Sequence, residues 1–233
     1  MFAEKYVLSF LVLLIAWHDH PRLLDWTARA GTGPFAFLVI VQRSMRFLLN
    51  LAIGAALLGA SRPLVSPSNL KELLVPLAPF LFPLVYDAAS WFPMPLRRNV
   101  FPTHWQVPLA AAGLAFGVIG YTIAIWSVAS LGRSFGIVVA VRGVVLDGPY
   151  RYVRHPMYLG YVCIAAGAAF GSFSIAILSL VSLHALLFVY RADLEEFRLA
   201  EASADYREYV KRTGFLFPRF RGLPPSLDRR FNP

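Results

Sequence analysis

Five stretches of this chain, at about residues 3–17, 35–60, 70–91, 106–130 and 156–190, stay apolar for so long that lipid is the solvent they fit. A helix that crosses the hydrocarbon layer needs roughly 20 apolar residues, so the first stretch is short. The last, about 34 residues, is too long for one pass. Gly171-Ser172-Phe173-Ser174 interrupts it near the middle, which predicts two short helices joined by a tight turn. The expected architecture is an all-α integral membrane protein with five or six transmembrane helices, the last two forming a C-terminal helical hairpin. Composition closes off the soluble alternative. The chain is 58% hydrophobic and 15% charged, whereas a soluble domain carries about 25% charged residues. A chain of 233 residues has no interior large enough to hide that excess.

The formal charge of +9 fits anionic lipid headgroups rather than nucleic acid, because the basic residues gather between and after the apolar runs. The single cysteine, Cys163, lies inside an apolar run, so no disulfide and no metal site is expected. Met1 to Trp17 lacks the basic start and small-residue cleavage site of a secretory signal and reads as a retained membrane or interfacial helix. Arg43 and Arg46 fall in the second run, where charge is costly and often functional. The simpler reading starts that helix near Ser44 and lets both arginines reach headgroups. Nine Lys/Arg follow Tyr190, and Arg133, Arg142, Arg151 and Arg154 lie in the loop 131–155. A hairpin at 156–190 returns the chain to the side it left, so loop and tail share a face. The excess of basic residues assigns that face to the cytoplasm, leaving Arg97 and Arg98 opposite.

One loop carries chemistry. Gly148 and Pro149 mark a turn. His155 is expected to be extended because Pro156 follows it, and Pro156 suits the first turn of the next helix. Tyr150, His155 and Tyr158 therefore converge at a helix N-terminus, where backbone N–H groups attract anions. Beyond the last apolar run stands Arg191-Ala192-Asp193-Leu194-Glu195-Glu196. If the helix continues, His184, Arg191 and Glu195 share a face, with Glu196 about 100° further round. Taken singly, these are an ordinary ion pair, a core histidine and interfacial tyrosines.

Together they resemble a known family. Arg154-His155-Pro156-Met157-Tyr158-Leu159-Gly160, followed after an apolar hairpin by Glu195-Glu196, is similar to the RHPxYxG…EE signature of isoprenylcysteine carboxyl methyltransferases and related phospholipid methyltransferases. The resemblance covers about residues 130–220 and includes Asp205-Tyr206-Arg207-Glu208-Tyr209. It implies a helical membrane enzyme that holds S-adenosylmethionine (SAM) in a cytosolic pocket and releases S-adenosylhomocysteine (SAH). The chain then divides into N-terminal transmembrane helices (1–130), a SAM-binding core (131–220) and a basic tail (221–233). Carried over by motif, the cofactor contacts fall on Arg142, Gly143, Val144, Val145, Tyr150, His155, Pro156, Met157, Tyr158 and Glu196. The arginine near the reacting group matches Arg191, with Glu195 and His184 completing the catalytic candidates.

The implied acceptor is lipid-borne or strongly apolar and most simply a carboxylate, which is already ionised near neutral pH and which Arg191 would orient. A phospholipid amine or a small thiol would need a base, for which His184 or a glutamate is the candidate. Gly136-Ile137-Val138-Val139-Ala140 lacks the Asn, His and Gln that eukaryotic isoprenylcysteine enzymes carry nearby, so the acceptor stays open. Expected partners are membrane lipids and the acceptor itself. The competing class is a membrane scaffold or transporter, but a transporter would be expected to show paired halves, and none is visible.

Overall fold

The computed structural model describes residues 5–17, 36–62, 76–77, 93–137, 144–171 and 173–219. Six helices organise them: α1 (Lys5–Trp17), α2 (Ala36–Gly59), α3 (Thr103–Leu131), α4 (Pro156–Gly171), α5 (Ile175–Ala202) and α6 (Ala204–Arg212). Short helical turns stand at Met94–Arg97, Gly132–Ser134 and Gly148–Arg151. Among the described residues the β pairing is one isolated bridge, Val153 to Gly214. The all-α expectation holds.

Helices α2, α3 and α5 are each long and apolar enough to cross a bilayer, while α1 and α4 are apolar but shorter. The chain is an integral membrane protein. Phe10, Phe37, Ile119 and Leu186 are each more than half exposed on helix surfaces, an arrangement that suits lipid and would promote aggregation in water. The apolar run at 70–91 lies outside the described residues except for Pro76 and Leu77.

The interruption expected near Gly171 is where the hairpin turns. Helix α4 ends at Gly171, and Ser174 caps α5 by accepting the Ile177 N–H at 3.3 Å. The Phe173 carbonyl accepts the Val100 N–H at 2.8 Å, which sets Arg98 and its neighbours beside this turn and away from the loop at 144–155. One expectation is corrected. Helix α2 is already formed at Ala36, so Arg43 and Arg46 lie about two and three turns inside it rather than at a start near Ser44. The apolar residues from Phe37 to Val41 extend the helix outward past both arginines.

Direction follows from contacts between helix ends. Lys5 Nζ donates to the Leu58 carbonyl at 3.2 Å while the Leu13 side chain lies against Gly54, so α1 runs antiparallel to α2. Ser61 donates to the Arg133 carbonyl through both its N–H (2.9 Å) and its hydroxyl (3.0 Å). The Gln42 amide fills the space beside Gly117, so α2 and α3 run parallel. Helices α3 and α4 are antiparallel and approach closely along glycines. A Cβ on Gly120 would sit 2.5 Å from the Gly160 carbonyl, and one on Gly113 would sit 2.6 Å from that of Gly167. Small residues that let backbones meet are a usual source of cohesion between membrane helices, because lipid removes the hydrophobic drive between them. The buried core then joins all of these helices: Val12 from α1, Ile53 from α2, Ala124 and Val128 from α3, Met157 and Tyr158 from α4, and Phe188 and Ala192 from α5.

Replacing Gly120 with Ala is expected to overpack this contact and cost about 1–3 kcal/mol. Gly59→Ala, where nothing lies within 4 Å, should be neutral. Thermal unfolding of the two variants in detergent would compare them directly.

Candidate functional site

The loop before α4 is shaped by residues with few alternatives. Gly148 has φ of +60°, and a Cβ there would also strike the Ser130 side chain, so only glycine serves. Pro149 opens the short turn Gly148–Arg151, and Tyr150 is carried into the interior. Burial pushes the Tyr150 phenol well above its ordinary range. The chain then runs through Val153, Arg154 and His155 to Pro156, which begins α4 as expected. Among the described residues the first helical amide here with a backbone partner is Leu159 N–H, on the His155 carbonyl at 3.0 Å.

Helix α5 has 28 residues and rises about 42 Å, well beyond a hydrocarbon layer of about 30 Å. Its projecting end brings Glu196 to the turn. His155 Nε2 lies 3.0 Å from Glu196 Oε1, and Arg154 Nε donates to the same oxygen at 2.6 Å. The Arg154 and Glu196 side chains are only 9% and 8% exposed, so this is a buried, charge-assisted pair rather than a surface one. Both contacts fall on Oε1, leaving Oε2 uncommitted among the described residues.

A second polar node lies one helical turn deeper. Arg191, 3% exposed, donates through Nε to Glu195 Oε1 at 3.0 Å and through Nη1 to the Pro76 carbonyl at 3.1 Å. Its Nη2 reaches the Gly136 carbonyl at 3.5 Å. The guanidinium also stands 5.5 Å from the centre of the Tyr158 ring, within cation–π range. Such burial removes the reading of Arg191 and Glu195 as a solvent-exposed pair. The Tyr158 hydroxyl is fully buried, with no partner of good hydrogen-bond geometry among the described residues and the Glu195 carboxylate close enough to interact with it. A buried hydroxyl of this kind calls for a partner.

Aromatic rings connect the two nodes. His184 lies 4.5 Å from Phe188, Phe188 lies 5.1 Å from Tyr158, and Tyr158 stacks on His155 at 5.1 Å and 5°. His155 in turn takes the edge of Phe215 at 4.8 Å. His184 therefore communicates with the site through rings, at about 10 Å greater depth than Arg191.

The sequence-derived candidates divide accordingly. Tyr150, His155, Pro156, Met157, Tyr158 and Glu196 are buried around the turn, with Arg191 and Glu195 beside them. Val144 packs against Ala200, Tyr206 and Val210, and Val145 is half-buried nearby in sequence. Arg142 and Gly143 lie outside the described residues. Helix geometry set Arg191 on one face with Glu195, and Glu196 about 100° further round. The contact is to Glu195, and Glu196 serves the turn. Sequence reasoning missed a role for Arg154, although it stands in the motif, and missed Phe215 entirely. Tyr209 was also unassigned. Its hydroxyl donates to the Tyr150 carbonyl at 2.5 Å and the Val153 carbonyl at 3.3 Å, and burial pushes its pKa up to about 12, so it remains a donor at neutral pH. Among the described residues no group of His, Cys, Asp and Glu is arranged to hold a metal ion.

Residues 113–201 match the model of the isoprenylcysteine carboxyl methyltransferase (ICMT) family. The match spans α3 from Gly113, the turn, α4 and nearly all of α5, and so takes in both polar nodes except for the Pro76 carbonyl. The likeness read from the motif over about 130–220 is thereby found over 113–201, which begins earlier and stops short of Asp205–Tyr209; the family it matches is one of methyltransferases. No curated protein matches the chain.

Removing Glu196 should leave the buried Arg154 without its counter-charge. Glu196→Ala is expected to cost about 3–5 kcal/mol, against less than about 1 kcal/mol for Glu201→Ala in the more exposed pair with Arg198. Chemical unfolding in detergent would measure both.

Proposed function

We propose that this protein is a SAM-dependent methyltransferase whose acceptor is lipid-borne or strongly apolar, most simply a carboxylate, and whose site faces the cytoplasm. The observation that carries the reading is the meeting of His155 and Glu196 at 3.0 Å across 41 residues of sequence, beside a buried arginine, within the family-matched stretch. The residues present suit the cofactor. Among the described residues Glu196 Oε2 is free to accept from a ribose hydroxyl or an ammonium group. The rings around His155 and Tyr158 suit a purine. The start of α4 suits a carboxylate.

When bound, SAM supplies a methyl group on a sulfonium, ready for in-line displacement. The protein's task is then alignment, which alone can contribute several kcal/mol to a reaction of this kind. Of the five N–H donors of a guanidinium, Arg191 spends three on Glu195, Pro76 and Gly136. Among the described residues two remain to orient an acceptor oxygen, and the Tyr158 hydroxyl, beside Glu195, is a further donor at the same node. A carboxylate needs no base. For an amine or thiol acceptor, Glu195 or His184 would take the proton. The cytoplasmic orientation rests on the basic residues of the loop and tail, and lipids are the surrounding partners.

Purified protein in detergent should gain several degrees of thermal stability with SAH at about 100 times its Kd, since binding to the native state adds about 2.7 kcal/mol. Glu196→Gln is the better cofactor variant because it keeps the shape of the side chain that holds the turn. It is expected to weaken SAH binding by calorimetry. Arg191→Lys should lower transfer of labelled methyl into a host lipid extract by about 100-fold while leaving SAH affinity within about threefold. Absence of an SAH shift in the unaltered protein would exclude the enzyme and favour a scaffold. The labelled product identifies the acceptor atom.

A further inference from the structure

The family match stops at residue 201, yet the chain beyond it is built into the His155 turn. Val153 and Gly214 pair as a parallel bridge. Arg154 N–H donates to the Gly214 carbonyl at 2.8 Å, and His155 N–H donates to that of Phe215 at 3.1 Å. The Arg154 guanidinium adds the Thr213 carbonyl at 2.6 Å and the Val210 carbonyl at 3.1 Å, while its Nε holds Glu196. Tyr209 closes the other end on Tyr150 and Val153.

Two features set this apart from simple packing of a C-terminus. Arg154 divides its donors between Glu196 and the carbonyls of the segment. Displacing the segment would leave buried N–H groups unsatisfied and release the carboxylate from its position. Phe215 also differs from its neighbours. His155, Tyr158 and Phe188 are all less than 9% exposed, whereas Phe215 is only partly buried. It is the ring of that series with surface left for a ligand to stack on.

We propose that Tyr209–Phe215 is a wall of the cofactor site, with Phe215 offering an aromatic face to the nucleoside and Arg154 acting as the positioning residue that fixes this wall to Glu196. The proposal rests on the cofactor reading above. Occupation of the site and order in the segment are then linked, because a ligand that contacts both favours the state in which they are joined.

The experiment uses the full chain in detergent with SAH as the probe. Phe215→Leu keeps apolar bulk without a ring face and is expected to weaken SAH about tenfold by calorimetry, while Phe215→Tyr retains near-native affinity. SAH should slow amide exchange of the unaltered protein at Arg154 and His155, the two amides that donate to the segment. Arg154→Lys should weaken SAH and remove that slowing at His155. Failure of the unaltered protein to bind SAH would overturn the cofactor reading and this wall with it. SAH binding that Phe215→Leu leaves within about twofold, or that leaves the two amides exchanging as before, would overturn the wall alone.

Discussion

The arrangement turns on one buried carboxylate. Glu196 is 6% exposed, and an ionised group so placed needs opposite charge and hydrogen bonds close by. The chain supplies both from adjacent residues, Arg154 and His155, because Pro156 holds the preceding backbone extended and sets both side chains toward α5. Without that bond the end of α5 would be a helix projecting past the bilayer with few lateral supports. With it, the rotation of α5 is fixed. Consecutive helical residues point about 100° apart, so a shift of one residue would exchange the duties of Glu195 and Glu196 and pull Arg191 from the Pro76 carbonyl.

Much of this was legible in the sequence, and the reason is chemical. Apolar runs announce membrane helices because backbone polar groups in lipid must be satisfied within the segment. The break at Gly171–Ser174 was read correctly because its residues favour turns and caps. The Arg154-His155-Pro156 turn and the acidic pair were legible because their side chains touch each other. Much of what stayed hidden works through the main chain. Thr213, Gly214 and Phe215 contribute carbonyl oxygens, which every residue possesses, so no pattern of side chains marks them. The face of α5 was only partly foreseen. His184 and Arg191 are buried as their spacing suggested, but Glu195 keeps 24% of its side chain exposed and Glu196 takes the interior place. The demand of the turn for a carboxylate decided between them.

The site is held on a frame of contrasting stiffness. Between α3 and α4, backbone meets backbone along Gly113, Gly120, Gly160 and Gly167, so the nearest neighbours are carbonyl oxygens rather than side chains that could rotate away. The His155 turn grows directly from that rigid pair. The opposing groups come from α5 and the chain after α6, which are secured near the turn by polar bonds and not by close helix packing. Hydrogen bonds are directional and open more readily than interlocked backbones. Any rearrangement of the site is therefore borne by its polar side.

Helix α4 has one further consequence. Its 16 residues rise about 24 Å, some 6 Å less than an average hydrocarbon layer. Were α4 to cross that layer, the mismatch would be absorbed locally, by thinning of the leaflet or by a water-filled dimple above Pro156. The polar floor of the turn would then lie deeper than the ends of the longer helices around it, and bilayer thickness would set that depth.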